Sequence, residues 1–278
     1  MTLSIDSRIT LNNGVEMPRL GLGVYKSAAG EEAENAVRWA LETGYRAIDT
    51  AALYANEAEV GKIAASGIVP REDIFITSKA WIDNLTYEGT KRAFADSMAK
   101  LNLDYVDLYL VHWPANDWQG AWRALEEIYA EGRVRAIGVS NFLQPQLEEL
   151  YDIAKVLPVV NQIEFHPFLQ QPELQAFCRE HNLPLTAWAP LMKGRVLEVP
   201  ELVEIGQRHG KSPVHVTLRW MLQIGVLTIP KSVKKERIES NADLYDFALS
   251  DEEIAVINGL DRGERIGAHP DEIAAQFK

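Results

Sequence analysis

VDLYLVHWP, Val106–Pro114, is a short run rich in β-forming residues that gives out at His112, a polar side chain just ahead of a proline. The pattern recurs elsewhere in the chain. In YRAIDTAALY, Tyr45–Tyr54, the apolar run ends at Asp49, with Tyr54 five residues on, and in IFITSKAW, Ile74–Trp81, it ends at Lys79. The ends of the strands are where an α/β barrel exposes side chains to its mouth. An acid, a phenol, an amine and an imidazole at one mouth form a set suited to moving a proton.

Outward from these segments, strand-like and helix-like patterns alternate with little between them. Beside YRAIDT, DIFITSKA and VDLYLVHW, the candidate strands are RLGLG, RAIGVS, VVNQIEF, LPLTAWAP and VLTIPKS. Helical spacing marks EEAENAVRWALETG, where Ala36, Val37, Ala40 and Leu41 share one face, and also QGAWRALEEIYAEG and PQLEELYDIAK. Eight strands alternating with helices predict a parallel sheet with right-handed crossovers that closes into a (β/α)8 TIM barrel. Residues 1–278 are expected to form a single domain, since no sequence repeat or Pro/Gly-rich linker divides them. RITLNNGVEMP reads as a β-hairpin around Asn13-Gly14, capping the barrel bottom. The tail GERIGAHPDEIAAQFK has no strand pattern and is expected to fold back over the barrel or fray.

The formal charge of −12 argues against a nucleic-acid partner, because binding phosphate backbones needs a basic surface. Charge-free stretches such as Trp220–Pro230 fall far short of the ~18 apolar residues a membrane span requires. The N-terminus MTLSIDSRITLNNG lacks the basic and then apolar regions of a secretory signal, so cytoplasmic residence is the expectation. A single cysteine, Cys178, allows no intrachain disulfide and no cysteine metal cluster, and no other metal-ligand spacing is seen.

A phenol is a poor proton donor near neutral pH, and a nearby ammonium favours its phenolate, so Lys79 is expected to lower the pKa of Tyr54. Asp49 would hold that ammonium, and His112 would hydrogen-bond and orient a substrate carbonyl. Taken singly, each residue also fits an ordinary role: a helix cap, a snorkelling lysine, a rim aromatic, a core histidine. Four at successive strand ends fit the chemistry better. Protonating a carbonyl requires an accompanying hydride, which a nicotinamide cofactor supplies. No G-x-G-x-x-G follows Gly21 and Gly23, so a Rossmann domain is not indicated. Instead PKSVKKER, after the last strand, gathers Lys231, Lys234, Lys235 and Arg237 where a helix begins, a patch able to grip the 2′-phosphate of NADP.

With these residues in view, the chain resembles the aldo-keto reductases over nearly its whole length. The matching motifs are MPRLGLGVYK, GYRAIDTAALYANEAEVG, IFITSKAW, LDYVDLYLVHWP, IGVSNF, VNQIEFHP and IPKSVKKERIESN. The resemblance implies a catalytic tetrad of Asp49, Tyr54, Lys79 and His112 and an NADPH/NADP+ cofactor extended across the barrel mouth. Within the family the chain is most similar to bacterial enzymes that include 2,5-diketo-D-gluconate reductases, down to AHPDE near the tail.

Carried over position by position, the resemblance places Ser140, Asn141 and Gln162 on the cofactor carboxamide and Trp188 against the nicotinamide ring. Gly23 and Val24 would line the mouth below the ring, and Ala189, Pro190 and Leu191 would follow Trp188 along the cofactor. Lys231, Ser232, Val233, Arg237 and Asn241 would hold the adenosine end. Tyr25, Trp81, Trp113 and His112 would wall the substrate pocket, with Trp118 either contributing or packing in the core. His166 matches a motif without a tetrad role and reads as structural. Met192 and Lys193 stand where related enzymes often carry glycine followed by a small or polar residue near the pyrophosphate, with Lys193 offering charge instead. Ser240 replaces an acid that often meets the adenine, and Ala80, in place of a larger residue, is expected to widen the pocket. The expected activity is NADPH-dependent reduction of small aldehydes or ketones by a monomer, with diketo sugar acids, methylglyoxal and aromatic aldehydes all open as substrates. The alternatives are a non-catalytic NADPH-binding sensor barrel, against which the intact tetrad counts, and a barrel hydrolase built on Asp49 and Glu164, which would have no use for PKSVKKER.

Overall fold

In the computed structural model, which describes residues 3–277, eight parallel strands follow one another around the sheet in chain order. Ahead of them lies an antiparallel hairpin, β1 (Arg8–Thr10) and β2 (Glu16–Pro18), with Ile9 opposite Met17. The sheet comprises β3 (Leu22–Gly23), β4 (Ala47–Asp49), β5 (Phe75–Ala80), β6 (Leu108–Val111), β7 (Ile137–Ser140), β8 (Asn161–Glu164), β9 (Leu185–Trp188) and β10 (Leu227–Thr228). The helices are α1 (Glu31–Thr43), α2 (Glu57–Ala64), α3 (Tyr87–Leu101), α4 (Trp118–Ala130), α5 (Gln144–Ile153), α6 (Pro172–Glu180), α7 (Pro200–His209), α8 (Pro213–Gln223), α9 (Lys235–Asn241), α10 (Asp251–Asn258) and α11 (Pro270–Gln276).

The first and last strands close the ring. The Gly21 N–H donates to the Thr228 carbonyl at 2.9 Å, that of Gly23 to Pro230 at 3.2 Å, and that of Thr228 to Arg19 at 3.0 Å. β3 and β10 are shorter than RLGLG and VLTIPKS suggest, because Pro230 has no N–H to donate and pairing beyond them survives only as isolated bridges. All eight expected strands and the (β/α)8 barrel are present.

Successive strand residues face opposite sides of the sheet, so the alternation along each strand sorts side chains into two layers. Ile48, Ile76, Tyr109, Val111, Ile137 and Val139 face outward into the layer shared with the helices. Ala47, Phe75, Leu108, Leu110, Val160 and Leu227 face the barrel axis, joined by Leu11 and Met17 of the hairpin. The hairpin therefore caps the barrel bottom, as its sequence predicts, and Asn12 Nδ2 secures it by donating to the Pro158 carbonyl at 2.8 Å.

The helices bury the faces their spacing marks. On α1 these are Ala33, Ala36, Val37, Ala40 and Leu41. That helix ends at Gly44, whose φ of 112° lies in the left-handed region that glycine adopts without a Cβ clash. α3 and α4 begin at Thr86 and Asp117, whose side chains accept the backbone N–H groups of Gly89 and Gly120. The tail folds back across the barrel, with the Glu264 N–H on the Phe168 carbonyl at 3.0 Å, and finishes as α11.

Candidate active site

The interior faces carry the polar residues up to the mouth. Phe75, Thr77 and Lys79 alternate along β5, Leu108 and Leu110 along β6 lead to His112, and Ala47 is followed by Asp49 on β4. Lys79 is fully buried, and its Nζ donates to Asp49 Oδ1 at 2.5 Å and to the Thr50 carbonyl at 2.8 Å, with the Tyr54 hydroxyl at 3.5 Å. Tyr54 sits on the 3-10 turn Ala52–Tyr54 and turns its ring edge-on to His112, at a centroid distance of 5.9 Å. Trp81 also meets His112 edge-on, at 5.1 Å. The four expected residues converge.

The electrostatics differ from the expectation in one respect. Burial, followed by the charge of Asp49 and the Tyr25 phenol, holds Tyr54 well above the ordinary phenol range. Lys79 does not reverse this, because its two shorter bonds commit it to Asp49 and Thr50. Tyr54 thus keeps its proton. Burial lowers the Lys79 ammonium below its usual value, with Asp49 and then Glu57 opposing that fall. Burial and the Lys79 charge keep His112 well below the usual imidazole range, so the ring is neutral, and its Nδ1 finds no partner among the described residues.

Beside this cluster, Trp188 Nε1 donates to Asn141 Oδ1 at 2.8 Å, which fixes the indole plane at the end of β9. Asn141 Nδ2 donates to the His112 carbonyl at 2.9 Å, and Ser140 Oγ to the Gln162 carbonyl at 2.8 Å. The Gln162 side chain reaches Asp49. Gly23 lies at the mouth next to Val24, where a Cβ would stand 2.9 Å from the Ile229 carbonyl oxygen, so only glycine lets these strands approach. After β10, Lys231, Lys234, Lys235 and Arg237 are exposed, while Ser232 and Asn241 are buried under them. The rim aromatics Tyr25 and Tyr54 lie 4.9 Å apart, and Trp113 is half-buried beside His112. Among the described residues, no group of three or more His, Cys, Asp or Glu lies placed to hold a metal ion, and no helix is long and apolar enough to cross a membrane.

The family profile described as "Aldo/keto reductase family" matches residues 19–262. The chain belongs to the aldo/keto reductase family. It is 50% identical over 274 residues to a protein of Bacillus subtilis named glyoxal reductase, covering 98% of this chain and 99% of that one. A methylglyoxal reductase of Escherichia coli K12 is 43% identical over 269 residues, covering 95% and 97% of the two chains. The solved structure of a Gox0644 variant in complex with NADPH superposes with a TM-score of 0.91 at 40% identity, covering 95% of this chain and 97% of that one.

Several side chains of this aldo/keto reductase sit elsewhere than its motifs suggest. Ala80 faces outward into the helix layer, opposite Lys79 on the same strand, so it does not widen the pocket. Trp118 is buried edge-on to Phe142 at 5.1 Å, which makes it a core residue. Lys193 Nζ donates to the Ile266 carbonyl at 3.1 Å and so ties the loop after β9 to the tail. Ser240 Oγ meets His215 Nε2 at 3.0 Å. His166, by contrast, sits as its reading as a structural residue expects, buried at 3.1 Å from Glu164. Burial alone would raise the Glu164 carboxyl, but His166 and the N–H groups of Ile266 and Gly267 outweigh it and hold the group low. Glu164 is therefore an anchor for the tail. Asn56 and Glu57 escape motif reading. Asn56 Nδ2 pins the rim loop through the Val24 and Ser27 carbonyls, and Glu57 is buried against Ser78. A helical-face argument finds Glu57, which shares the buried side of α2 with Val60, Gly61 and Ala64.

Proposed function

We propose that this protein reduces small aldehydes and ketones to alcohols with NADPH, and that short α-dicarbonyls such as glyoxal and methylglyoxal are its best substrates. The observation that carries this reading is the Lys79 ammonium set between Asp49 Oδ1 and the Tyr54 hydroxyl, under a protonated phenol at an aromatic-walled mouth. The activities named for the B. subtilis and E. coli relatives support the substrate class.

The residues present fit the cofactor: exposed cations gather after β10, a pinned indole stands at the end of β9, and amide and hydroxyl groups lie between. Lys231, Ser232, Val233, Arg237 and Asn241 would hold the adenosine end, with charge-assisted contacts to the 2′-phosphate. Trp188, Ser140, Asn141 and Gln162 would seat the nicotinamide, with Gly23, Val24, Ala189, Pro190 and Leu191 lining its path. When bound, NADPH supplies the hydride. Neutral His112 donates a hydrogen bond to the substrate oxygen and orients the carbonyl. Tyr54 gives that oxygen its proton as negative charge develops there. Lys79 stabilises the resulting phenolate, and Asp49 keeps Lys79 in place. Tyr25, Trp81 and Trp113 shield the site from water and leave room for small substrates.

The chain's charge of −12 disfavours an anionic diketo sugar acid, whose turnover should depend on ionic strength more than that of methylglyoxal. The test is NADPH consumption with glyoxal, methylglyoxal, benzaldehyde and a diketo sugar acid, with cofactor binding followed by tryptophan fluorescence. The reading predicts the highest kcat/KM for the dicarbonyls. Tight NADPH binding without reduction of any carbonyl would favour the sensor barrel, and absence of NADPH binding would defeat the role given to Lys231–Arg237.

A further inference from the structure

We infer that Gln162 is a positioning residue for Asp49, and that it sets the proton-donating end of the site as well as the cofactor end. Asp49 is buried and its two oxygens are shared out: Oδ1 accepts from Lys79 at 2.5 Å, and Oδ2 accepts from Gln162 Nε2 at 2.7 Å. A desolvated carboxylate needs a donor on each oxygen, and one held on both sides cannot rotate away from the ammonium. Gln162 is itself held: its backbone carbonyl takes both Ser140 Oγ and the Asn141 N–H at 2.8 Å. Asn141 in turn bonds Trp188 Nε1 and the His112 carbonyl. The groups proposed to seat the nicotinamide and those proposed to move the proton thus form one hydrogen-bonded network, in which the Gln162 side chain carries the link to Asp49. One N–H of Gln162 Nε2 is given to Asp49, and Oε1 takes no bond from a described residue, leaving an acceptor for a carboxamide N–H.

The inference rests on the proposed reductase mechanism and separates from it in a double-mutant cycle. Gln162→Met keeps the side-chain length and removes the donor, and Asp49→Asn removes the charge it serves. At saturating NADPH, Gln162→Met should lower kcat roughly tenfold in the wild-type background and less than about twofold in Asp49→Asn, because the two residues act as a unit. Gln162→Glu, which sets a second carboxylate against Asp49, should cost more than Gln162→Met. Without cofactor, the Gln162 side-chain amide resonances of the protein should shift when Asp49 becomes Asn, a readout independent of turnover. The inference is overturned if Gln162→Met weakens NADPH binding with kcat intact, if its loss is equal in both backgrounds, or if the amide resonances do not move. A wild-type protein inert towards every carbonyl defeats the functional reading instead, and the resonance shift still tests the contact.

Discussion

The floor and the mouth of this barrel are built by the same strands and obey opposite rules. On the floor, Ala47, Phe75, Leu108, Leu110, Val160 and Leu227 close on Leu11 and Met17, and every side chain is apolar. One or two steps further along the same interior faces stand Asp49, Lys79, His112 and Gln162, all buried and three of them ionisable. Apolar burial on the floor is favourable, about 25 cal/mol per Å² removed from water. Burying charge at the mouth carries a desolvation cost that pairing can fail to repay, and swapping such a pair for apolar residues is often neutral or stabilising. The interior of the barrel thus packs apolar side chains at one end and buries ionisable groups at the other, an arrangement that suits the proposed chemistry. Substitutions at the two ends should therefore separate activity from stability.

The sharpest separation is expected at Tyr54. Tyr54→Phe removes the proposed proton donor and should lower kcat by roughly 10²–10⁴-fold, the usual worth of a positioned general acid. Its melting temperature should move little, because among the described residues the phenol oxygen is bonded only by Lys79, at 3.5 Å. Steady-state kinetics beside a thermal melt decide the matter, and a variant retaining most of its activity would place the proton donor elsewhere. The converse belongs to Leu108, fully buried on the floor. Leu108→Ala should cost about 2–5 kcal/mol in urea unfolding, while the folded fraction turns over within about twofold of wild type. A large kcat loss there would mean that floor and mouth are mechanically coupled.

How much of this was legible beforehand differs along the same line. The floor and the outer layer follow from alternation alone, since the period of two in IFITSKAW assigns Phe75, Thr77 and Lys79 to one face and Ile76, Ser78 and Ala80 to the other. The same alternation puts Ala80 on the outer face, away from the pocket, which the family pattern alone does not show. The convergence of Asp49, Tyr54, Lys79 and His112 was legible because strand ends in such a barrel share a rim. The order of influences on Tyr54 was not, because the balance between burial and a neighbouring ammonium depends on distances that no motif encodes. Nor could spacing show Gln162 reaching Asp49, a contact across 113 residues of sequence, or Glu164 anchoring a tail whose pattern named no partner.

The smallest expected effect is the most direct probe of how dry the mouth is. His112 is held neutral by burial and by the Lys79 charge, so its folded-state pKa lies below that of the unfolded chain. Below about pH 6.5 the unfolded state binds a proton that the folded state refuses. Stability contributed this way is complete above that pH and is lost as pH falls towards the folded pKa, with a slope of up to about 1.4 kcal/mol per pH unit. His112→Gln cannot titrate, so the wild type should lose stability faster than the variant on acidification through this window, and the two curves should run parallel above it. Urea titrations at stepped pH measure the difference. Parallel curves throughout would mean that solvent reaches the imidazole as freely as a surface histidine, and the contrast between a dry mouth of buried charges and an apolar floor would rest on Asp49 and Lys79 alone.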